Sequence, residues 1–149
     1  MVFTSHMTLA LEEARAAARA GEVPVGAVVI GPDGAVLARA RNRMRELCDP
    51  TAHAEMLAIR AACAALGSER LAGCDLYVTL EPCTACAGAI SAARIARLYY
   101  GAADPKSGGV AQGPRVFDHA QAHHKPEVYG GIAERAAADL LRDFFAARR

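Results

Sequence analysis

The apolar run LYVTL at 76–80 passes through Glu81 and Pro82 straight into Cys83-Thr-Ala-Cys86. The run is short and mostly apolar, as a buried strand is. Pro82 suits the first turn of a helix, where its missing N–H costs nothing, and the alanine-rich residues behind it carry that helix to about Ala93. Two thiols three positions apart at the start of a helix look like half of a zinc site. Either two further ligands elsewhere close a structural site, or a single one leaves a position open.

The rest of the chain alternates in the same way. Residues 7–20 read as a helix, with Leu9, Leu11, Ala14 and Ala18 available for a buried stripe and Gly21 as its stop. Residues 25–30 are apolar, GPDG at 31–34 is turn chemistry, and 35–40 form a second strand, so 25–41 read as a hairpin. Asp49-Pro50-Thr51 opens a helix through about Leu66, closed by Gly67. Short strands are predicted at 98–101 and 126–129, and the loop at 104–114 is long enough to point to function or mobility. Residues 131–148 read as an amphipathic helix, with Ile132, Leu140, Leu141, Phe144 and Phe145 on or near one face. The order predicts an α/β fold with a mixed, about five-stranded sheet and helices on both sides. With no linker or repeat, 1–149 is expected to form a single domain.

Composition excludes some partners. A net charge of +1 provides no broad electrostatic footprint for nucleic acid, although a local basic patch is compatible with it. The first twenty residues lack the basic and apolar regions of a signal peptide, and no apolar run is long enough to cross a membrane. An odd count of five cysteines without a secretion signal argues for a reducing compartment, so a cytoplasmic location is expected.

Counting ligands separates the two kinds of zinc site. There is no second Cys-x-x-Cys; Cys48, Cys63 and Cys74 are isolated and read as small buried apolar residues, while His123 and His124 are adjacent. His53, in the first turn of the helix opened at 49–51, is the best third ligand. Three protein ligands are the number of a catalytic zinc with an open position. Helix N-termini favour thiolates, which helps both cysteines. Glu55 lies two residues after His53, about 200° round an ideal helix, which makes it a poor ligand but leaves it within reach of the reacting groups as a general acid/base.

The pattern HAE at 53–55 with PCTAC at 82–86 is the H-x-E…P-C-x-x-C signature of zinc-dependent base deaminases. With EVPVGAVV at 22–29, DPTAHAE at 49–55, LYVTLEPCTACAGAI at 76–90, RLYYGAADPKSGG at 97–109 and LLRDFFAARR at 140–149, the chain resembles the bacterial tRNA-specific adenosine deaminases. These belong to the zinc-dependent cytidine/deoxycytidylate deaminase superfamily. The resemblance implies a three-layer α/β/α cytidine-deaminase-like fold, a homodimer and one Zn2+ per subunit held by His53, Cys83 and Cys86. It further implies that Glu55 shuttles protons during conversion of adenosine to inosine at the wobble position of an arginine tRNA. Asn42, Ala54, Asp104, Lys106 and Ser107 would then contact the base and the anticodon loop. DPKSGG at 104–109 departs from the usual residues of the family, and Gly108-Gly109-Val110 is unusual.

Two other readings share these residues. One is a zinc-dependent deaminase of a free base or nucleoside such as guanine, cytosine or cytidine. The other is a non-catalytic, zinc-stabilised RNA-binding subunit. The Phe144, Phe145, Arg148 and Arg149 tail reads either as an RNA-facing surface or as a docked helix whose basic end suits its dipole.

Overall fold

The computed structural model of the chain describes residues 5–148. The predicted hairpin is present as β1 (Gly26–Ile30) and β2 (Val36–Arg41), paired antiparallel. β1 also pairs antiparallel with β3 (Asp75–Leu80), and parallel pairing then adds β4 (Arg97–Ala102) and β5 (Glu127–Tyr129). The result is the mixed five-stranded sheet anticipated above, in the order β2-β1-β3-β4-β5.

Helices cover both faces. One side carries α3 (Ala54–Leu66) and α4 (Thr84–Ala92), whose alanines and Ile59 and Ile90 pack on Val29, Leu76, Val78 and Leu98. The other side carries α1 (Met7–Arg19) and α5 (Glu134–Ala146), packed on Val28, Ile30, Tyr77 and Tyr99. On that face Tyr77, Tyr99 and Tyr129 form a ladder across three strands, with ring centroids 4.4 Å and 5.1 Å apart and planes tilted by 7° and 19°.

The buried stripe of α1 is Met7, Ala10, Leu11, Ala14 and Ala17, with Leu9 and Ala18 only half-buried. Close approach selects the small residues: a Cβ on Gly26 would lie 2.0 Å from the Ala10 carbonyl oxygen, so the helix rests on bare strand backbone.

Several boundaries differ from expectation. Asp49 does not open a helix; its carboxylate accepts the Thr51 N–H at 2.8 Å and the Thr51 hydroxyl at 2.7 Å, a local turn that competes with helix. α3 therefore starts later, at Ala54, and ends at left-handed Gly67 as predicted. Pro82 lies just before α4 instead of inside its first turn. α5 begins at Glu134, leaving Ile132 ahead of it. A short helix, α2 (Met44–Leu47), was not anticipated; buried Glu22 accepts the N–H groups of Arg45 and Glu46 there at 3.2 Å and 2.8 Å. Cys48 caps that helix in a left-handed conformation and is exposed, contrary to its reading as a buried apolar residue. Cys74 is buried and Cys63 half-buried.

At the other end of the chain α5 is docked through Ala137 and Phe144. The Arg148 guanidinium stacks 3.5 Å from the Phe144 ring centroid and donates to the Phe144 carbonyl, while Phe145 is exposed. Arg149 lies outside the described residues.

Candidate active site

His53 and Cys83 occupy the same position in two different helices. Each is the N-cap residue, of α3 and α4 respectively, with extended backbone (ψ 150° and 174°) and a side chain that does not cap its own helix. Both side chains are thereby released from the helix they start. Cys86, in the first turn of α4, is buried and completes the cluster. The His53 Nδ1 atom lies 3.4 Å from the Cys86 sulfur and 3.7 Å from the Cys83 sulfur, and the three donor atoms lie within 4.8 Å of one another. Among the described residues this is the one such group able to hold a metal ion. Two thiols and an imidazole suit zinc, and the trio leaves a fourth tetrahedral position for another ligand.

The electrostatics fit that use. Hydrogen bonding from Cys86, then from His53, pulls the Cys83 thiol down to about 3. The proton shared by the two sulfurs stays with Cys86, which is raised because its hydrogen bond to the Cys83 thiolate holds that proton. The hydrogen bond to Cys83 likewise raises His53. The chain therefore supplies a thiolate readily, at the positive end of a helix where an anion is favoured.

Glu55 is buried, and loss of water pushes its carboxyl up to about 7. The 200° separation from His53 expected of an ideal helix does not apply, because His53 sits outside the helix with extended backbone. Both residues line one cavity of about 170 Å³, together with Cys83, Asn42, Asp104 and Ser107. That volume is well below the roughly 300 Å³ at which pockets for drug-sized molecules begin. It suits a fragment, such as one base of a larger ligand.

Asn42 is buried at the cavity wall, with both ends of its amide used: Oδ1 accepts the Ala54 N–H at 2.8 Å and Nδ2 donates to the Val23 carbonyl at 3.2 Å. Ala54 itself is fully buried, does not line the cavity, and gives its N–H to Asn42. Asp104 accepts the N–H groups of Lys106 and Ser107 at 3.2 Å and 3.0 Å, folding the loop into a turn. Asp104 and Ser107 reach the small cavity, whereas Lys106 lines a neighbouring hollow of about 550 Å³ with Val23, Leu80, Leu141 and Phe145.

Sequence reasoning missed Glu81 and Met44, which also line the cavity. Met44 rides on the unanticipated α2. Glu81 is only 1% exposed and takes up backbone N–H groups from the 104–112 loop. The available signal was a carboxylate wedged between a buried strand and a Pro-Cys helix start, a place where an ionised group needs partners.

A His-Cys-Cys cluster at two helix starts, half-buried at His53 and Cys83 and buried at Cys86, with a buried carboxyl beside it, belongs to a known class of site. The chain is a member of the cytidine and deoxycytidylate deaminase family: the model of that family's zinc-binding region matches residues 3–102. Within the family, the tRNA-specific adenosine deaminase of Agrobacterium fabrum (strain C58) is 60% identical over 146 residues, covering 98% of this chain and 95% of that protein. A structure from biochemical and structural studies of A-to-I editing by tRNA:A34 deaminases superposes with a TM-score of 0.89 at 61% identity, covering 91% of this chain and 97% of the other. The guanine deaminase of Nitrosomonas europaea shares the fold at a TM-score of 0.81 and 26% identity, over 98% of this chain and 87% of that one.

Proposed function

We propose that this chain is a zinc-dependent deaminase converting adenosine to inosine at the wobble position of a tRNA, with an arginine tRNA as substrate. The observation that carries the chemistry is the His53, Cys83 and Cys86 cluster sharing one small cavity with buried Glu55. The choice of substrate rests on the 60% identity to a tRNA-specific adenosine deaminase over nearly the whole chain.

His53, Cys83 and Cys86 would hold one zinc ion per subunit. When bound, zinc supplies a Lewis acid that brings the pKa of water from about 16 towards about 7. Glu55 accepts a proton from the attacking water and returns protons to the ring nitrogen and to the departing amine. In the metal-free chain its carboxyl is pushed up to about 7, within the range where a group gives and takes protons near neutral pH. The reaction balances as adenosine plus water giving inosine plus ammonia. Asn42 uses one amide hydrogen on Val23, and the second serves the base. Asp104, Ser107 and Lys106 meet the sugar and phosphates at the cavity mouth. Extruding a base into the cavity costs a few kcal/mol, least where the strand is already single, as in an anticodon loop.

The full reading is of one domain over 1–149, acting as a homodimer in the cytoplasm. No helix among the described residues is long and apolar enough to cross a membrane, which is compatible with that setting.

The deciding experiment offers the purified zinc-loaded protein an anticodon stem-loop with adenosine at the wobble position, alongside free adenosine, guanine, cytosine and cytidine. Inosine formed in the stem-loop alone is the expected result. Ammonia released from free bases or nucleosides, with the stem-loop untouched, overturns the reading. Stem-loops from other tRNAs carrying the same adenosine test the preference for arginine tRNA.

A further inference from the structure

Glu81 is a buried carboxylate that is held by backbone groups. It follows β3 immediately, directly before Pro82 and the metal-binding cysteine. Its Oε1 accepts the Asp104 N–H at 3.1 Å, and its Oε2 accepts those of Val110, Ala111 and Gln112 at 3.1, 2.9 and 3.0 Å. Three consecutive N–H groups converging on one oxygen form an anion-holding concavity, here filled by the protein's own side chain. A buried carboxylate is costly unless its lone pairs are satisfied, so these bonds hold both partners firmly.

The same loop is bound a second time through its backbone. The Gly109 N–H donates to the Pro82 carbonyl at 2.8 Å, and Cys83 and Gly108 are joined by an isolated β-bridge. Side-chain bulk is excluded at this seam: a Cβ on Gly108 would lie 2.6 Å from the Glu81 carboxyl carbon, and one on Gly109 would lie 2.7 Å from the Thr84 nitrogen. The unusual Gly-Gly pair thus has a steric cause. Between the two anchor points, residues 104–107 form the turn that brings Asp104 and Ser107 to the cavity and Lys106 to the adjoining hollow.

We infer that Glu81 is a positioning residue for substrate: it clamps the 104–112 loop to the start of the metal-binding helix and so sets where Asp104, Lys106 and Ser107 meet the RNA. The inference rests on the stem-loop reading proposed above. Both oxygens of Glu81 are taken up by loop N–H groups although it lines the cavity, so its contribution falls on binding and not on the chemical step.

The test uses the full-length zinc enzyme with Glu81→Gln, a near-isosteric change that keeps one acceptor oxygen but replaces the other with an N–H donor. Steady-state deamination of the stem-loop, zinc content and amide hydrogen exchange are measured together. A KM raised about tenfold, the equivalent of one charge-assisted hydrogen bond, with kcat nearly unchanged and zinc content intact, supports the clamp. Faster exchange at Val110, Ala111 and Gln112 must accompany it. Gly108→Ala, which crowds the same contact while leaving the carboxylate in place, should give the same KM signature. If Glu81→Gln lowers kcat without raising KM, or loses zinc, Glu81 acts on the metal helix and the inference fails. Faster exchange with unchanged KM also overturns it. Exchange is read without substrate, and the wild-type protein is assayed beside the variant. Failure of the stem-loop reading would therefore show as an inactive wild type, distinct from failure of the clamp.

Discussion

The side-chain oxygen of Asn42 accepts the backbone N–H of Ala54 at 2.8 Å, so a cavity-lining residue also secures the start of the helix carrying Glu55. His53 occupies the N-cap without capping, and Asn42, twelve positions before Ala54, supplies a partner for the first helical N–H in its place. Asn42→Ala leaves that buried N–H without its partner, while the Val23 carbonyl keeps the Val25 N–H at 2.8 Å. An unsatisfied buried group costs about 1–3 kcal/mol, which for a chain of this size lowers Tm by roughly 2–12 °C. Activity should fall as well, because Glu55 and His53 lose their anchor. Thermal unfolding and deamination rates check both; an unchanged Tm would show that the bond carries no stability.

Glu55→Gln should retain stoichiometric zinc while losing about 10²–10⁴ in turnover, the usual worth of a positioned acid/base. The amide fills the same space but can neither accept the proton nor return it. Single-turnover inosine formation and metal analysis on the same sample make the measurement. Retained turnover would remove Glu55 from the chemistry, whereas a wild-type protein that binds zinc and the stem-loop but forms no inosine would favour the non-catalytic, RNA-binding reading.

His53→Ala should reduce bound zinc, since two thiols alone leave the site short of a ligand. Chelation of the wild-type protein should expose Cys83 as a reactive thiolate at neutral pH, because its thiol is pulled down to about 3. A thiol reagent read by mass spectrometry should label exposed Cys48 in both forms and Cys83 only after chelation. Unchanged zinc in His53→Ala, or equal labelling of Cys83 in both forms, would argue against this ligand set.

Burial pushes the Tyr77 phenol up to about 12 from an ordinary 10. The folded state therefore favours the neutral ring. That contribution is complete below pH 10 and is lost as pH rises towards 12, because the unfolded chain ionises first. Tyr77→Phe should lose less stability than wild type between about pH 9 and pH 11, as read by urea unfolding. Parallel losses in the two proteins would show that Tyr77 is not the group responsible.

Strand order cannot be read from sequence, but the hairpin, the strand-helix-strand succession of β3, α4 and β4 and the helices on both faces all followed from local pattern, since turn residues and apolar runs act over short distances. The candidate cluster was legible for a different reason: zinc coordination restricts ligand type and number, and counting left His53, Cys83 and Cys86, whose donor atoms lie within 4.8 Å of one another. What local pattern missed depended on contacts distant in sequence. Glu81 bonds to backbone N–H groups, whose presence is independent of side-chain identity, so nothing at 110–112 advertises a partner. The 200° count did not apply, because it assumed that His53 was helical, while Asp49 uses its carboxylate to hold a turn that delays the helix. Cys48 ended up exposed because α2, held by Glu22, stops there in a left-handed turn.

The ladder of Tyr77, Tyr99 and Tyr129 gives the molecule an optical signature. The chain has no tryptophan and only four tyrosines, and three of those are stacked across β3, β4 and β5. Coupled rings at these separations, held by a chiral sheet, dominate the near-ultraviolet dichroism that a tryptophan would otherwise mask. Their band reports on the parallel half of the sheet, while the antiparallel hairpin stays dark. A refolding experiment could therefore time the docking of β5 against β4 without any label, using aromatic rings that lie on the face opposite α3 and α4.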